Sequence, residues 1–298
     1  MDNNSNIKRI IDIILYLEQR YKLLEWKIDG VFVWQSARVI IYTSILDLLI
    51  PNNSLVNTLT FTSKIKSLCK RFILNSFIYN PFFDFNKSQI LVFDSGRKYL
   101  IDDKYVDIYT EYLCKELDKQ QTSYKKYETN HLIDDLAPRS FKTKHLDFIF
   151  ILAKLRFKII KTSINESELT KLKIIEAEIN SSLGIMINLE SIFTNELKRF
   201  KSLYPLYLLL LKFKKAKRIY LTNSCDKAAL VKAAKDCHIE TIELQHGLIV
   251  KEALIAHFPN TIEDSLDYFP DKFVVWKDLD MCTCKLPLSS RSEERRVG

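Results

Sequence analysis

Apolar residues recur at helical spacing along most of the chain before residue 215, and this pattern predicts a helix-rich N-terminal part. The predicted helices cover residues 7–26, 35–49, 55–79, 144–160, 166–182 and 188–213. Pro51 and Pro81 stop the second and third of them. Ser163 is the expected N-cap of the helix from Glu166, because a Ser three residues before a Glu matches the capping-box pattern.

Strand signals are rarer in this part. Residues 89–93 form a short apolar run after a turn, which predicts a strand with the loop Asp94–Arg97 at its carboxyl end. Residues 104–117 begin as an extended segment and become helical near Asp107. Residues 120–143 are polar and indicate no defined element.

The pattern changes after Lys217. Two short segments, 218–222 and 240–244, are predicted strands separated by a helix over 226–237, with Asn223 and Ser224 as candidate caps. A strand, a helix and a strand in so short a stretch form a βαβ unit, whose two strands are parallel. We therefore predict a domain boundary near residue 216, with an N-terminal domain over 1–215 and a second domain over 216–290.

The overall composition fits a folded chain of two domains. The chain has 298 residues, of which 47% are hydrophobic, and this fraction argues against disorder. A formal net charge of +8 suits nucleic acid, an anionic membrane face or a phosphate-bearing substrate. We expect no nucleic-acid partner, because the lysines are dispersed and no zinc finger, RNP motif or basic arm is present.

The cysteines and the apolar runs bear on location. Six scattered cysteines without a preceding signal peptide predict free thiols in a reducing cytoplasm. The longest apolar run, Tyr204–Leu211, is much shorter than the roughly 20 residues of a membrane span. Five basic residues follow it within 212–218, so we expect a solvated helix end, with contact at a membrane surface as the alternative.

The last eight residues, Arg291–Gly298, resemble the translation of a common sequencing adapter. No turn, cap or periodic pattern connects them to the residues before. We therefore expect that the natural protein continues beyond Ser290, and we leave these residues out of the fold prediction. A genuine charged tail is the alternative.

The βαβ unit predicts a binding site, because the carboxyl ends of parallel strands meet at one edge of a sheet. A helix N-terminus at this edge favours an anion, and a histidine there exchanges protons near neutral pH. Glycine lets the backbone approach a ligand closely. The candidate residues for holding a diphosphate are Thr222, Asn223, Ser224, Gln245, His246 and Gly247. A structural hydrogen bond is the alternative role for His246.

Candidate residues in the N-terminal part are less specific. Asp29 beside Gly30 is a loop carboxylate that would suit a substrate site. Arg38 and Arg97 are candidate phosphate or carboxylate ligands. For Arg38 the alternative is an ion pair with a neighbouring carboxylate, and for the nearby tryptophans it is the core. We predict no metal site, because Cys282 and Cys284 lack a second pair of ligands.

Several short motifs resemble those of bacterial capsule and O-antigen glycosyltransferases, which have the two-Rossmann-domain architecture called GT-B. These motifs are Thr222–Ser224, Ile242–Ile249 with its Gln-His-Gly, and Tyr268–Phe273. Glu25–Trp34 with Arg38, and Asp107–Tyr112, are also similar to members of that group. The resemblance implies an α/β fold of two Rossmann domains, the N-terminal one helix-rich and the C-terminal one incomplete in this chain.

The resemblance also implies a function. A sugar would pass from a nucleotide-sugar donor to a polysaccharide or lipid-linked glycan acceptor, without a cofactor or a protein-bound metal. The enzyme would lie in the cytoplasm, with peripheral contact at the inner membrane. The donor would bind the second domain and the acceptor the first, with Asp29 as the base and His246 at the reacting groups.

Three features qualify these expectations. Related sialyltransferases hold the donor with a His-Pro pair, whereas here Phe258 separates His257 from the proline. The short second domain predicts that the chain as written is inactive. A sugar-nucleotide epimerase of the same fold and a non-enzymatic helical adaptor at the membrane are the two alternatives.

Overall fold

A computed structural model describes residues 3–49, 77–95, 98–101, 104–128, 143–247, 253–259, 266–275 and 286–287. The helices of the described part are α1 (Asn3–Tyr21), α2 (Val33–Leu49), α3 (Glu111–Lys119), α4 (Asp147–Ile159), α5 (Glu166–Leu183), α6 (Leu189–Lys214) and α7 (Ala228–Asp236). The strands are β1 (Lys27–Ile28), β2 (Val31–Phe32), β3 (Ile90–Phe93), β4 (Lys98–Ile101), β5 (Lys104–Asp107), β6 (Tyr124–Glu128), β7 (Thr143–His145), β8 (Arg218–Leu221), β9 (Glu240–Leu244) and β10 (Lys272–Val274).

The main sheet has six parallel strands in the order β10-β9-β8-β3-β6-β7. If its strands are counted along the chain, this is the order 3-2-1-4-5-6 of a doubly wound, Rossmann-like sheet. The first strand, β3, lies at the centre and pairs with β6 on one side and β8 on the other. The predicted mixed α/β fold and the parallel pairing of β8 with β9 are confirmed.

Helices cover both faces of this sheet, as a parallel sheet requires. On one face, Cys114 and Leu117 of α3 pack against Ile90, Val92 and Tyr124. On the other face, Leu91 and Phe93 of β3 join a large core that includes the long helix α6. The alternating side chains of one central strand therefore contribute to two different cores.

The N-terminal helices extend the larger core. Ile10, Ile14 and Leu17 form the buried stripe of α1, at the spacing that the sequence predicts. Trp26 and Trp34 are also buried, and both stack edge-on against Phe193 of α6. The core alternative for the two tryptophans is therefore the one that the structure shows.

Two predicted helix caps are wrong. The helix α5 begins after Asn165, whose side chain accepts a hydrogen bond from the Glu168 backbone in a complete capping box, so Ser163 is not the cap. The helix α7 begins at Ala228, after the loop that holds Asn223 and Ser224, and its N-cap residue makes no side-chain cap bond. In both cases the helix starts later than the first polar residue of the loop.

The sequence prediction misses the strands β6 and β7. The strand β6 lies within residues 120–143, where no element was expected, and β7 takes the place of the predicted start of the helix at Lys144. Lysines interrupt the apolar pattern of β6, but Lys125 pairs with Asp84 and Lys126 with Glu128. These ion pairs allow basic residues in an inner strand.

The boundary predicted near residue 216 coincides with the end of α6, but it does not divide the sheet. The strand β8 pairs with β3 along its full length, so residues on both sides of 216 share one sheet and one core. Residues 218–274 contribute three of the six strands. The assignment of the two parts to acceptor and donor domains stays a prediction.

Some predictions lie outside the described residues, namely most of the helix over 55–79, Arg97, and residues 291–298. In the part of the chain that the structure describes, no helix has the length and apolar character to cross a membrane.

Candidate functional site

The doubly wound order places a crevice at the centre of the sheet's carboxyl edge. At the switch point between β3 and β8, the chain leaves the two strands toward opposite faces of the sheet, and ligands of such folds bind there. Asp94 follows β3 and Thr222 follows β8. Both residues are buried, so the bottom of the crevice lies in the interior of the protein.

The loop after β8 is held by local hydrogen bonds. The Asn223 side chain accepts a hydrogen bond of 3.0 Å from the backbone N–H of Cys225. The backbone N–H of Ser224 donates to Oε2 of Glu243 on the neighbouring strand, at 3.2 Å. Thr222 is fully buried, and its hydroxyl has no hydrogen-bond partner among the described residues. The Thr222 hydroxyl therefore contributes no hydrogen bond to the described part of the fold.

Glu243 is the most unusual residue of the site. It is a carboxyl in the penultimate position of β9, and only 1% of its surface is exposed. Burial raises its pKa to about 7, although the hydrogen bonds from Ser224 oppose this shift. Its Oε1 lies 3.6 Å from Nδ1 of His246. The carboxyl and the imidazole thus form a close pair, at a separation somewhat longer than a hydrogen bond.

The residues around His246 complete the loop after β9. The backbone N–H of Gln245 donates to Val274 of β10, which extends the sheet by one bond. The Gln245 side chain donates to the carbonyl of Gly247 at 2.9 Å. Gly247 is exposed, and a Cβ added to it would have no heavy atom within 4 Å. There is consequently open space in front of this backbone, as an approaching ligand requires.

The turn at Asp107, at the end of β5 in the separate β4–β5 hairpin, lies beside the loop after β9. Asp107 is buried and accepts hydrogen bonds from the backbone and hydroxyl of Ser95, at 2.8 and 2.6 Å, and from the backbones of Tyr109 and Thr110. The ring of Tyr109 stands perpendicular to that of His246, with 6.3 Å between their centres. The motif around Asp107 and the Gln-His-Gly motif, distant in sequence, are therefore neighbours.

A cavity of about 100 Å³ lies between the carboxyl edge of the sheet and the helices α4 and α6. Asp94, Tyr127, Arg199 and Asp226 are among its lining residues. It adjoins a groove of about 660 Å³ that follows α4 and α6, because Phe150, Arg199, Leu203 and Asp226 line both. The groove has the volume of an ordinary small-molecule site.

Polar groups in the cavity differ in how they are held. The hydroxyl of Tyr127 is buried without a hydrogen-bond partner in the described residues, and burial raises its pKa. Arg199 makes two hydrogen bonds of 2.7 Å to Glu196 and one of 3.0 Å to the Asp226 carbonyl. Burial opposes the charge of Arg199, but the bonds and charge of Glu196 raise its pKa above the ordinary value. The guanidinium is thus a fixed positive charge at the cavity wall.

Arg38 is buried in the core, and its guanidinium makes hydrogen bonds to several other segments of the chain. Its guanidinium makes hydrogen bonds of 2.6 and 3.1 Å to Glu18, and others to the carbonyls of Leu254 and His257. It also stacks over the ring of Phe258, 4.1 Å from its centre. These contacts favour the ion-pair alternative for Arg38, and they anchor the segment 253–259 to the N-terminal helices.

Asp29 occupies the tip of a tight hairpin. The strands β1 and β2 are joined by Asp29 and Gly30 alone, both with positive φ, which is the conformation that Asp-Gly adopts in a two-residue turn. The Asp29 carboxylate pairs with Lys201 of α6. Neither Asp29 nor Arg38 has a hydrogen bond or ion pair with residues 222–224 or 245–247 in the described part.

The structure therefore brings together the candidates at the ends of β8 and β9 and adds residues that the sequence prediction omitted as site residues. Glu243, Tyr127 and Arg199 are the main additions. Strands of parallel sheets are usually apolar, so the two glutamates of 240–244 depart from that pattern and Glu243 had a signal in the sequence. Tyr127 and Arg199 had none, because their roles depend on β6 and on the packing of α6.

In the part of the chain that the structure describes, no three His, Cys, Asp or Glu side chains are grouped so that they could hold a metal ion. Comparisons of the chain with models of protein families, with curated proteins and with solved structures found no match.

Proposed function

We propose that the protein is a glycosyltransferase that moves a sugar from a nucleotide-sugar donor to a polysaccharide or lipid-linked glycan acceptor. The observation that carries the proposal is the convergence at the carboxyl edge of the sheet. There the Glu243–His246 pair, the loop after β8 and the turn at Asp107 meet.

The cavity on the helical side is lined by Asp94 of the same edge and by Asp226 of the loop after β8, and it adjoins the groove of ligand size. Three of the motifs that resemble the capsule and O-antigen enzymes, those at Thr222–Ser224, at Gln-His-Gly and at Asp107–Tyr112, supply these residues, whereas Glu25–Trp34 and Arg38 lie elsewhere.

The proposed enzyme has the two-domain GT-B arrangement, and the described sheet represents one Rossmann domain of the two. Six of the described strands, β3 and β6 to β10, belong to this sheet. A second Rossmann unit is not present among the described residues. The proposal therefore places the reaction between this carboxyl edge and a further domain, because the cleft between two such domains is a usual ligand site.

In this proposal His246 acts at the reacting groups, and Glu243 positions it. The imidazole would take a proton from the acceptor hydroxyl or donate a hydrogen bond to the donor phosphate, while the Glu243 carboxyl 3.6 Å from Nδ1 orients the ring. The buried Glu243 stabilises the imidazolium when the proton arrives. This is the arrangement of a general base with an orienting carboxylate.

The neighbouring residues have roles that follow from their positions. Thr222 offers a hydroxyl with no partner in the described protein, and Gly247 leaves open space at the backbone. Both would contact the donor phosphates. Arg199 and Tyr127 face the cavity on the helical side, where they would bind hydroxyl or phosphate groups of the acceptor.

The test uses the open reading frame recovered from genomic DNA, read through the position of Ser290. Nucleotide release is measured with a panel of uridine-, guanosine- and cytidine-activated sugars, first for the natural protein and then for His246→Ala. Loss of a group that stabilises the transition state costs a factor of about 100 to 1,000 in turnover. His238→Asn is the matched control, because His238 has a left-handed backbone at the end of α7, which Asn tolerates.

Two outcomes would overturn the proposal. If His246→Ala keeps the turnover of the natural protein per folded molecule, His246 is a structural residue. If the donor sugar is converted to an isomer without release of the nucleotide, the protein is a sugar-nucleotide epimerase.

The proposal includes a cytoplasmic location with peripheral contact at the inner membrane. The acceptors of such enzymes that carry a lipid lie at that membrane, and a net charge of +8 favours an anionic surface.

A further inference from the structure

The cavity between the carboxyl edge of the sheet and the helices α4 and α6, which we call the inner cavity, has two basic side chains in its wall. Both are already paired with carboxylates. Arg199 makes two hydrogen bonds of 2.7 Å to Glu196, and Nζ of Lys227 lies 3.0 Å from a carboxylate oxygen of Asp226. A phosphate or carboxylate group of a ligand would have to compete with these partners for either cation.

A further carboxyl lies in the same wall. Asp94 directly follows the central strand β3, is only 2% exposed and lines the inner cavity. Its backbone N–H donates to the Tyr127 carbonyl at 3.1 Å, which fixes the residue at the end of the strand. A negative charge on a ligand would be repelled by this carboxylate, because like charges repel strongly where water is excluded. A ligand hydroxyl, in contrast, can donate to it, since a carboxylate has about four lone-pair sites.

The hydroxyl of Tyr127 offers a second contact for a ligand hydroxyl. It is buried, its residue lines the inner cavity, and it has no hydrogen-bond partner among the described residues. Burial raises the pKa of Tyr127, so the group stays protonated at neutral pH and can both donate and accept. Buried polar groups are normally hydrogen-bonded, and a ligand hydroxyl, which also donates and accepts, would supply the partner.

The other large side chains in the wall are mainly apolar, and most of them are aromatic. They are Phe93, Leu146, Phe150, Leu203 and Tyr207. In a site of this kind the apolar wall encloses the ligand and a few polar groups fix its orientation. A sugar ring has the matching character, because it carries C–H groups on its faces and hydroxyls around its rim. The wall therefore suits an uncharged sugar better than a phosphate group.

The inner cavity is the smaller part of a longer space. Its volume is about 100 Å³, and it adjoins the groove of about 660 Å³ along α4 and α6. Phe150, Arg199, Leu203 and Asp226 line both spaces. One end of an extended ligand can therefore enter the inner cavity while the remainder lies in the groove.

We propose that the inner cavity binds the terminal sugar residue of the acceptor glycan, and that this residue carries no charge. Asp94 and Tyr127 bind its hydroxyls, and the sugars that follow it lie in the groove. The inference rests on the proposed glycosyl transfer. It names the class of acceptor, because it assigns sugar hydroxyls, and not a phosphate, to this part of the site.

The test measures the binding of simple glycosides to the 298-residue chain by saturation-transfer difference NMR. The probes are the methyl glycosides of glucose, galactose and mannose. Each is compared with the methyl glycoside of its uronic acid and with its own 6-phosphate, so that the ring is kept and the charge is changed. We expect at least one uncharged glycoside to bind, and to bind at least about tenfold more tightly than its two charged counterparts.

Two variants locate the binding. Tyr127→Phe removes only the hydroxyl and should weaken binding of the uncharged glycoside by about fivefold, which is the contribution of a typical hydrogen bond. Asp94→Asn removes the negative charge and should reduce the preference over the charged counterparts to less than about threefold. Tyr124→Phe is the matched control, because Tyr124 lies on the same strand but its hydroxyl donates to Asp118 at 3.1 Å, on the α3 side of the sheet. Circular dichroism establishes that each variant is folded.

The control variant should bind the glycosides like the natural chain. The proposal is wrong if no uncharged glycoside binds, if a charged counterpart binds equally or more tightly, or if Tyr127→Phe has no effect. An equal loss with Tyr124→Phe would place the sugar outside the inner cavity and would contradict the proposal as well.

Failure of glycosyl transfer itself has a different signature. If the uncharged glycosides bind as expected but the full-length enzyme releases no nucleotide from any donor, the inner cavity is a sugar site and the transfer proposal is wrong. If nucleotide is released only with acceptors that end in a uronic acid or a phosphate, transfer stands and the assignment of the inner cavity is wrong.

Discussion

Oε1 of Glu243 lies 3.6 Å from Nδ1 of His246, and this carboxyl is buried within the sheet. Burial raises the pKa of Glu243, and the same carboxyl faces the imidazole that acts in the proposed reaction. Its effect on stability can be measured without any substrate.

The first prediction concerns the pH dependence of stability. Glu243 has a pKa of about 7 in the folded protein and an ordinary value of 4.5. Between these pH values only the folded state holds the proton, so the free energy of unfolding falls as the pH rises from about 4.5 to about 7. Glu243→Gln removes this contribution. The difference in unfolding free energy between the natural chain and the variant should change by about 3 kcal/mol across this window.

Urea denaturation at a series of pH values measures this difference. A difference that stays constant from pH 4.5 to 7 would show that Glu243 has an ordinary pKa in the folded state. His246→Ala is the control that separates the effect of Glu243 from that of the imidazole beside it.

The second prediction concerns two buried threonines. The Thr222 hydroxyl has no partner in the described residues, whereas the Thr241 hydroxyl donates to Asp271 at 2.8 Å and accepts from its backbone at 3.0 Å. Both side chains are fully buried. Thr241→Val should lower the unfolding free energy by about 1 kcal/mol, because it removes these two hydrogen bonds, while the backbone of residue 241 still pairs with the Asp271 carboxylate and N–H. Thr222→Val should leave it unchanged or raise it.

Chemical denaturation of the two variants provides the measurement. The same Thr222→Val protein should have impaired turnover in the full-length enzyme if the hydroxyl binds the donor. A large loss of stability in Thr222→Val would contradict the claim that the fold does not use this hydroxyl.

The third prediction concerns the Arg38–Glu18 pair. Removing one partner of a buried ion pair leaves an uncompensated charge, so Arg38→Met should lower the unfolding free energy by about 3–5 kcal/mol. Arg20→Met is the matched control, because Arg20 pairs with Glu178 at 2.7 Å but is half exposed, and it should cost less than about 1 kcal/mol. A double variant with Glu18→Gln should recover part of the loss. Equal effects of Arg38→Met and Arg20→Met would mean that the buried pair contributes no more than a surface pair.

The fourth prediction separates two glycines. Gly30 has a φ of +79°, so Gly30→Ala should cost about 1–2 kcal/mol of stability through the strained hairpin turn. Gly247 has no positive φ and open space around it, so Gly247→Ala should leave stability within about 0.5 kcal/mol. Thermal unfolding compares them. A Gly247→Ala protein that is fully stable but has lost turnover would support a ligand at this backbone.

The sequence predicts the local elements well and their assembly poorly. Periodicity identifies the helices α1, α2, α5 and α6, and short extended segments identify β3, β8 and β9, because each signal is local in the chain. It does not show that β8 pairs with β3, because that pairing joins residues far apart in the chain. The predicted boundary at residue 216 depended on a change in local pattern, whereas the sheet is formed by long-range pairing.

The candidate site was also predictable only where its signal is local in the sequence. Residues that follow directly after a strand, such as Thr222 and His246, could be found by their position. Tyr127 could not, because lysines in β6 conceal the strand that positions it. Arg38 was a reasonable candidate from its motif, but only the fold shows that Glu18 and two carbonyl groups occupy its guanidinium.

The central position of β3 also has a consequence for synthesis on the ribosome. The strand emerges early, but β8, which covers one of its edges, begins only at Arg218. At 5–20 residues per second, the ribosome needs on the order of ten seconds to make the stretch between them. During that time the apolar sequence Ile-Leu-Val-Phe presents an open edge, which is a template for aggregation. This edge of β3 is therefore unpaired for far longer than a helix needs to form, and the strand order makes the late synthesis of β8 the step that closes it.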